Sequence, residues 1–328
     1  MINRILALII GLISTRCANN FRMWIMLVTS GVLINSSCKS SSHSAEITEC
    51  LNAGLPEIAC TGIAINEDWT PVIREINGFD MVLVPAGCFM MGNMEGLPRE
   101  QPVHEICFNQ PFWIDLTETT VDQYASFLNS EKVTEENSEN WLGTWAEDVG
   151  WDWIQLNYLG NIWVPVPGDG LRPVHNITGF GAEAYCSWRG ARLPTEAEWE
   201  YVARGPDNLL YPWGNELNTD YVARFRGKNP KVGSKPQGAS WVGALDLSSS
   251  LYEWTITIYA PYPYDALDGR EIALIEDLSS ERVLRGGSWY HTEGIPDDLR
   301  ATARFRLPPH LSNRPYGFRC VQSIFPDE

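Results

Sequence analysis

Past Gly205 no stretch of this chain keeps a helical hydrophobic period, and that bounds its fold more tightly than any other feature. Short strand-like runs at 283–290, 301–307 and 316–322 are instead separated by glycine, proline and tryptophan. Before Gly205 the pattern is mixed. Residues 81–85, 88–91 and 104–114 alternate in the manner of strands, punctuated by Gly87, Gly92, Pro98, Pro102 and Pro111. Three helices follow. Thr120 and Gln123 have capping-box spacing for a helix over 120–128, with Val121, Tyr124, Ala125 and Leu128 on one face. A second covers 181–189 and stops at Gly190; a third runs over 195–204, with Thr195 as N-cap, Glu198 three residues later and Gly205 at its end. This layout is α+β with much ordered coil. It lacks the alternating strand-helix units of a dinucleotide-binding fold.

Charge narrows the classes of partner. With 24 Lys and Arg against 41 Asp and Glu among 328 residues, the formal charge is −17. Such a chain repels phosphate backbones and anionic membrane surfaces, so no nucleic-acid partner is expected. The strongly apolar runs lie at 5–13 and 23–34, each led by an arginine, Arg4 and Arg22, and each too short to span a bilayer. They resemble signal-peptide cores. Residues 1–37 are read as the signal region, with Met23 or Met26 as alternative functional starts. Cys38 and the serine-rich tract behind it match a lipoprotein junction and flexible tether, with lipidation of Cys38 or simple cleavage left as alternatives. Residues 38–77 are read as tether and linker, and 78–328 as the folded domain. Either processing route places that domain outside the cytoplasm, in the periplasm, on the outer surface or secreted. Membrane attachment is expected only through the lipid.

Apart from Cys17 and Cys38, six cysteines remain: Cys50, Cys60, Cys88, Cys107, Cys186 and Cys320. An even number behind an export signal implies disulfides. No CxxC occurs, and the five histidines lack ligand spacing, so zinc has no support. Nucleophile-elbow, P-loop, dinucleotide and HExxH patterns are absent. Asp265 and Asp268-Gly269 read as a solvated turn rather than a calcium loop. Residues 131–170 form an insertion, whose tryptophans Trp141, Trp145, Trp151, Trp153 and Trp163 either build a small core or stack on a ligand; packing is the favoured reading.

A series of ordered strings carries more information: MVLVPAGCFMMG (81–92), PVH (102–104), TVDQY (120–124), AYCSW (184–188), ARLPTEAEWEY (191–201), YPWGN (211–215), YEW (252–254), RGGSW (285–289) and YGFRC (316–320). In this order they resemble the formylglycine-generating enzyme, or sulfatase-modifying factor, family over about residues 78–323. The resemblance implies a C-type-lectin-like fold: a small twisted antiparallel sheet, two main helices, much ordered coil, and N- and C-terminal strands that meet. It also implies a Cys186–Cys320 disulfide between the AYC helix and the GFRC strand. Proximity leaves Cys88 with Cys107, and Cys50 with Cys60.

The chemistry implied by the resemblance is less complete. Copper-using members carry two cysteines shortly after the GGS string, because copper(I) is soft and demands thiolates. Here those positions are His291 and Pro296, so copper is not expected. Ser288 and Arg304 match positions that line the family's pocket, and Trp289, Tyr290, His291 and Arg300 complete the candidate surface. Arg300 and Arg304 are equally readable as structural ion-pair partners. The family string GNVWEW, which helps hold calcium, reads SSLYEW here, leaving Glu253 with Ser250 as a weak calcium pair. No cofactor is required. The expected function is a non-catalytic module that binds a protein, peptide or glycan. The alternative is a formylglycine-generating oxidase acting on sulfatase cysteines or a related oxidoreductase, for which Cys88 and Cys107 are the spare thiols. The sulfoxide synthases among the relatives need a further iron-binding helical domain, which this sequence does not encode.

Overall fold

The computed structural model describes residues 38–143, 155–223, 230–248, 251–273, 279–287, 296–312 and 316–324. The chain divides into two compact units, 1–55 and 56–328. In the first, helix α1 (Cys38–Asn52) occupies the segment read as a serine-rich tether. Among the described residues, no helix is long and apolar enough to cross a membrane.

The second unit opens with α2 (Glu57–Thr61) and two strands joined by a tight turn, β1 (Ile73–Ile76) and β2 (Phe79–Val84). The hairpin β3 (Gly87–Met91) and β4 (His104–Phe108) follows, then β5 (Phe112–Asp115). Strand β2 pairs on one side with β1 and on the other with β5, and β12 (Val321–Ser323) pairs with β5 through Ile114 opposite Val321. This four-stranded sheet is antiparallel throughout, and it brings the chain's last strand beside strands from its first half. Because β1 belongs to it, the folded sheet begins before residue 78.

The second four-stranded sheet has the order β10-β9-β8-β11, from β8 (Tyr252–Ile258), β9 (Arg282–Arg285), β10 (Phe305–Leu307) and β11 (Tyr316–Gly317). Its one parallel pair sets Tyr316 beside Tyr252 and Gly317 beside Glu253. The described residues thus form two small four-stranded sheets, besides the β3–β4 hairpin and one further two-stranded pair. The three helices read from the sequence are present, as α3 (Val121–Ser130), α4 (Gly179–Trp188) and α5 (Glu196–Arg204).

Local signals account for the helix ends. The Thr120 hydroxyl accepts from the Gln123 backbone N–H while the Gln123 side chain accepts from the Thr120 N–H. Thr195 and Glu198 repeat the arrangement on α5, and Gly205 ends that helix at a φ of 64°, with the Asn66 side chain where a Cβ would sit. Helix α4 starts two residues before the expected 181. Its cap is Thr178, which accepts from the Gly181 N–H.

The aromatic residues of α3 and α4, among them Tyr124, Phe127 and Tyr185, pack with Trp254 and Phe318 into the main core. The Cys186–Cys320 disulfide lies inside it and joins α4 to the chain just ahead of β12, across 134 residues. Cys88 and Cys107 form a second bridge across the β3–β4 hairpin, and Cys50 and Cys60 are also disulfide-bonded. The described part of the insertion packs rather than projects. Its hairpin, β6 (Leu156–Leu159) and β7 (Ile162–Pro165), lies against α3, with Trp163 buried and its indole N–H donating to the Val133 carbonyl at 2.8 Å. Trp141 packs on Phe127 with ring centroids 5.1 Å apart. Trp145, Trp151 and Trp153 lie outside the described residues.

Candidate functional site

Helix α5 carries Glu196, Glu198, Glu200 and Arg204, yet all nine of its residues are buried. A charged helix buried all round needs fixed partners. The Glu196 carboxylate accepts two bonds from Arg304, Nε at 2.6 Å and Nη2 at 2.8 Å. Glu200 accepts from Arg285 and from Arg204 Nη1, the latter at 2.6 Å. Arg285 Nε stands 3.3 Å from Glu196, which links the two pairs. The Tyr262 hydroxyl reaches both carboxylates at 3.4 Å. Burial alone would raise the Glu200 pKa, but Arg285 and Arg204 outweigh it and hold the carboxyl below its ordinary value.

This network decides what Arg304 does. Its side chain has no solvent exposure, and its remaining hydrogens go to the carbonyls of Arg99 and Ala260 while its guanidinium lies 3.9 Å from the Tyr262 ring centroid. Arg304 is a buried pairing residue and does not line an open surface. Arg300 is likewise paired, with Glu100 at 3.0 Å and with Asp297. Glu100 also accepts from the Thr302 hydroxyl at 2.6 Å. In the RGGSW string Arg285 belongs to the network, and the glycines are demanded by the backbone: Gly286 and Gly287 have φ of 96° and 69°, and a Cβ on Gly287 would meet the Asp298 carbonyl at 2.2 Å. The scaffold therefore accounts for this string as far as Gly287. Ser288, Trp289, Tyr290 and His291 lie outside the described residues, as does the side chain of Pro296.

Beside the segment 296–304 sits a small aromatic stack. Tyr252 and Phe305 rings lie 5.0 Å apart at 28°, and Phe305 and Tyr316 6.1 Å apart at 24°. Tyr252 and Tyr316 are buried, and Phe305 is 37% exposed. The Tyr252 hydroxyl donates to Asp298 at 3.1 Å.

A second buried cluster surrounds Glu253. Arg319 donates Nε to Glu253 Oε2 and Nη2 to Oε1, both at 2.7 Å, and Trp199 Nε1 donates to Oε2 at 2.8 Å. Glu253 is therefore committed to a guanidinium and an indole. Sequence reasoning paired it with Ser250, which lies outside the described residues. It missed Glu118 and Asp246, which the fold brings near. Burial, then repulsion from Asp246 and Glu253, pushes the Glu118 pKa well above the carboxylate range against the pull of Arg319. Neither Glu118 carboxyl oxygen makes a well-formed hydrogen bond among the described residues, although the Leu251 backbone approaches. The Asp246 pKa is also raised by burial, against the Gly233 N–H that donates to it at 2.5 Å. For calcium the fit is poor. Among the described residues no three His, Cys, Asp or Glu side chains converge as a ligand group, and the best carboxylate already holds Arg319.

Asp268, read as part of a solvated turn, pairs with Arg270 at 2.6 Å, and Asp265 accepts from the Leu267 N–H within the same turn. Of the groups missed from sequence, Glu196, Glu200 and Arg204 did leave a signal. Glu200 and Arg204 are four apart on a helix, and the flanking apolar residues leave that helix no solvent side.

A family model for the sulfatase-modifying factor enzyme 1-like domain matches residues 69–324. The chain is 33% identical over 248 residues to the serine/threonine-protein kinase pkn1 of Chlamydia caviae, covering 75% of this chain but 38% of the kinase. It thus spans about two fifths of that relative's length. It is 32% identical over 289 residues to the mouse inactive C-alpha-formylglycine-generating enzyme 2, covering 74% of this chain and 85% of that protein, and 27% identical to the formylglycine-generating enzyme of Mycobacterium tuberculosis, covering 74% and 97%. Among solved structures, PvdO from Pseudomonas aeruginosa superposes with a TM-score of 0.61 at 21% identity, over 78% of this chain and all of PvdO.

Proposed function

The chain belongs to the sulfatase-modifying factor enzyme 1-like domain family, and from that premise we propose that it is an exported, non-catalytic module of the family that binds a protein, peptide or glycan. The observation that carries this reading is the state of the thiols. The resemblance to copper-using members puts His291 and Pro296 where two thiolates are needed, and Cys50, Cys60, Cys88, Cys107, Cys186 and Cys320 are all in disulfides. A bridged cysteine is neither nucleophile nor soft-metal ligand. Proline offers no donor atom, and one imidazole is a poor substitute for a thiolate pair.

The proposed binding surface lies beside the segment 296–305, where Phe305 offers an exposed ring backed by Tyr252 and Tyr316. Aromatic faces of this kind stack on sugar rings and on peptide side chains. Ser288, Trp289, Tyr290 and His291 precede this segment in sequence. Export is supported by the disulfides, which persist in oxidising compartments, and by the N-terminal apolar runs; Cys38 is the proposed lipidation site. The inactive relative at 32% identity supports loss of the oxidase chemistry.

The test is direct. Copper-loaded mature protein is incubated under oxygen with a peptide containing CxPxR, and mass spectrometry looks for the aldehyde. No aldehyde above a metal-free control is expected. Turnover above that control would overturn the binding reading in favour of a formylglycine-generating oxidase. A glycan and peptide array read with native protein and with Phe305→Ala then locates the ligand surface, the variant being expected to lose at least about ten-fold in affinity.

A further inference from the structure

The bridges differ in their access to solvent. Cys186 and Cys320 are fully buried in the main core, and Cys50 and Cys60 are 2% exposed. Cys88 and Cys107 are both exposed. The reason lies in the alternation of the β3–β4 hairpin. Phe89 and Phe108 face the core, with ring centroids 5.3 and 5.0 Å from Tyr201, while Cys88, Met90, Glu105 and Cys107 share the opposite, solvent-facing side. Cys88 stands directly opposite Cys107 in the register, so their disulfide is displayed on an open face.

What the bridge closes gives it consequence. The loop between β3 and β4 carries the groups that brace the segment 296–304. Arg99 O accepts from Arg304, and Glu100 accepts from Arg300 and Thr302. The loop is itself held at its start by Gly92, whose N–H donates to Glu200 and whose carbonyl accepts from Arg204, and by the Asn93 N–H, which donates to the Glu100 carbonyl. The disulfide across the stem therefore restrains the wall behind the proposed binding surface.

We propose that Cys88–Cys107 is the protein's thiol-exchange site, opened in the native state by a dithiol reductant, and that opening it loosens the 92–103 loop and with it the 296–304 segment. A reductant thiolate attacks one of the two sulfurs, forming a mixed disulfide and releasing the other cysteine as thiolate. The reductant's second thiolate then displaces the first cysteine. The dithiol leaves as a disulfide, and its two electrons and two protons remain on Cys88 and Cys107. Attack on Cys186–Cys320 requires the core to open first, so the two bridges separate kinetically.

The experiment uses the native mature chain under graded dithiothreitol, quenched by alkylation and mapped by mass spectrometry, with amide hydrogen exchange measured on the same samples. Cys88 and Cys107 should be alkylated at least about a hundred-fold faster than Cys186 and Cys320. Exchange in 92–103 and 296–304 should rise about ten-fold or more while the main core stays protected. A Cys88→Ser/Cys107→Ser chain should show the same raised exchange without reductant. Opening of Cys88–Cys107 only together with Cys186–Cys320 would overturn the proposal. So would selective opening that leaves exchange in both segments unchanged. Neither readout depends on a ligand, so failure here is distinct from failure of the binding reading.

Discussion

The two buried ionic clusters are built from the same residue types and reach opposite balances. Around α5, Glu196 and Glu200 face Arg204, Arg285 and Arg304, and each carboxylate has a short charge-assisted partner. Around Arg319, one guanidinium among the described residues faces Glu253, Glu118 and Asp246, and Glu253 takes its bidentate pair. Burial penalises every one of these charges. Where cations outnumber anions, the Glu200 pKa is held below its usual value; where anions crowd one cation, the Glu118 pKa is pushed well above its own. The first cluster is thus rigid as built, and the second carries a group that pH can change.

The comparison breaks most visibly if the matched cluster loses a cation. Arg285→Met should cost about 5 kcal/mol or prevent folding, because Glu196 and Glu200 would remain buried with a partner missing. Denaturant unfolding measures it, and a loss under 1 kcal/mol would mean that the network contributes little.

Next in size is the bridge beside the second cluster. Cys320 directly follows Arg319, and its disulfide to Cys186 fixes the segment between β11 and β12 that presents the guanidinium. Removing it as Cys186→Ala/Cys320→Ala should cost about 4 kcal/mol in the chain-entropy view, read from the same unfolding curves. A smaller effect than that of an exposed surface substitution would remove the tether's part in the comparison.

A smaller effect sharpens the contrast in protonation. A carboxyl whose folded pKa is raised binds more protons folded than unfolded once the pH exceeds about 4.5, so its contribution falls as pH rises through that window. Glu118→Gln mimics the protonated form. It should change stability by less than about 1 kcal/mol at pH 7, and it should flatten the decline that sets in above the ordinary carboxylate range in thermal melts. A large loss at pH 7 would show Glu118 acting as an anion. The smallest expected effect is that of calcium. With Glu253 committed to Arg319, titration calorimetry should give an affinity of about 0.1 mM or weaker. Submicromolar binding that Glu118→Gln abolishes would recast the excess negative charge as a cation seat.

Much of the scaffold was legible along the chain. The caps at Thr120 and Thr195, the stop at Gly205, the strands near 81 and 88 and the Cys186–Cys320 pairing all rest on local patterns or on motif resemblance, and each appears in the structure. The pairing of the second sheet was less visible than its strands, because β10 and β11 are only three and two residues long and join β9 and β8 across the chain. The α4 cap at Thr178 stands three residues ahead of the helix start read at 181, so the spacing of the apolar residues did not reach it.

The sequence by itself determined the family, the α+β class and the ends of α3 and α5, because these depend on residue identity and spacing of a few positions. Only the tertiary structure decided what Arg304, Glu253 and Glu118 do. Arg304 meets Glu196 from 108 residues away, and Arg319 meets Glu253 from 66. Whether a buried charge is paired, crowded or protonated depends on distances of a few ångströms across such separations, set by how sheets and helices pack. The same holds for the bridges. Cysteine count and order imply disulfides, but that one is sealed in the core and another lies open on a hairpin follows from which face of each strand the fold buries.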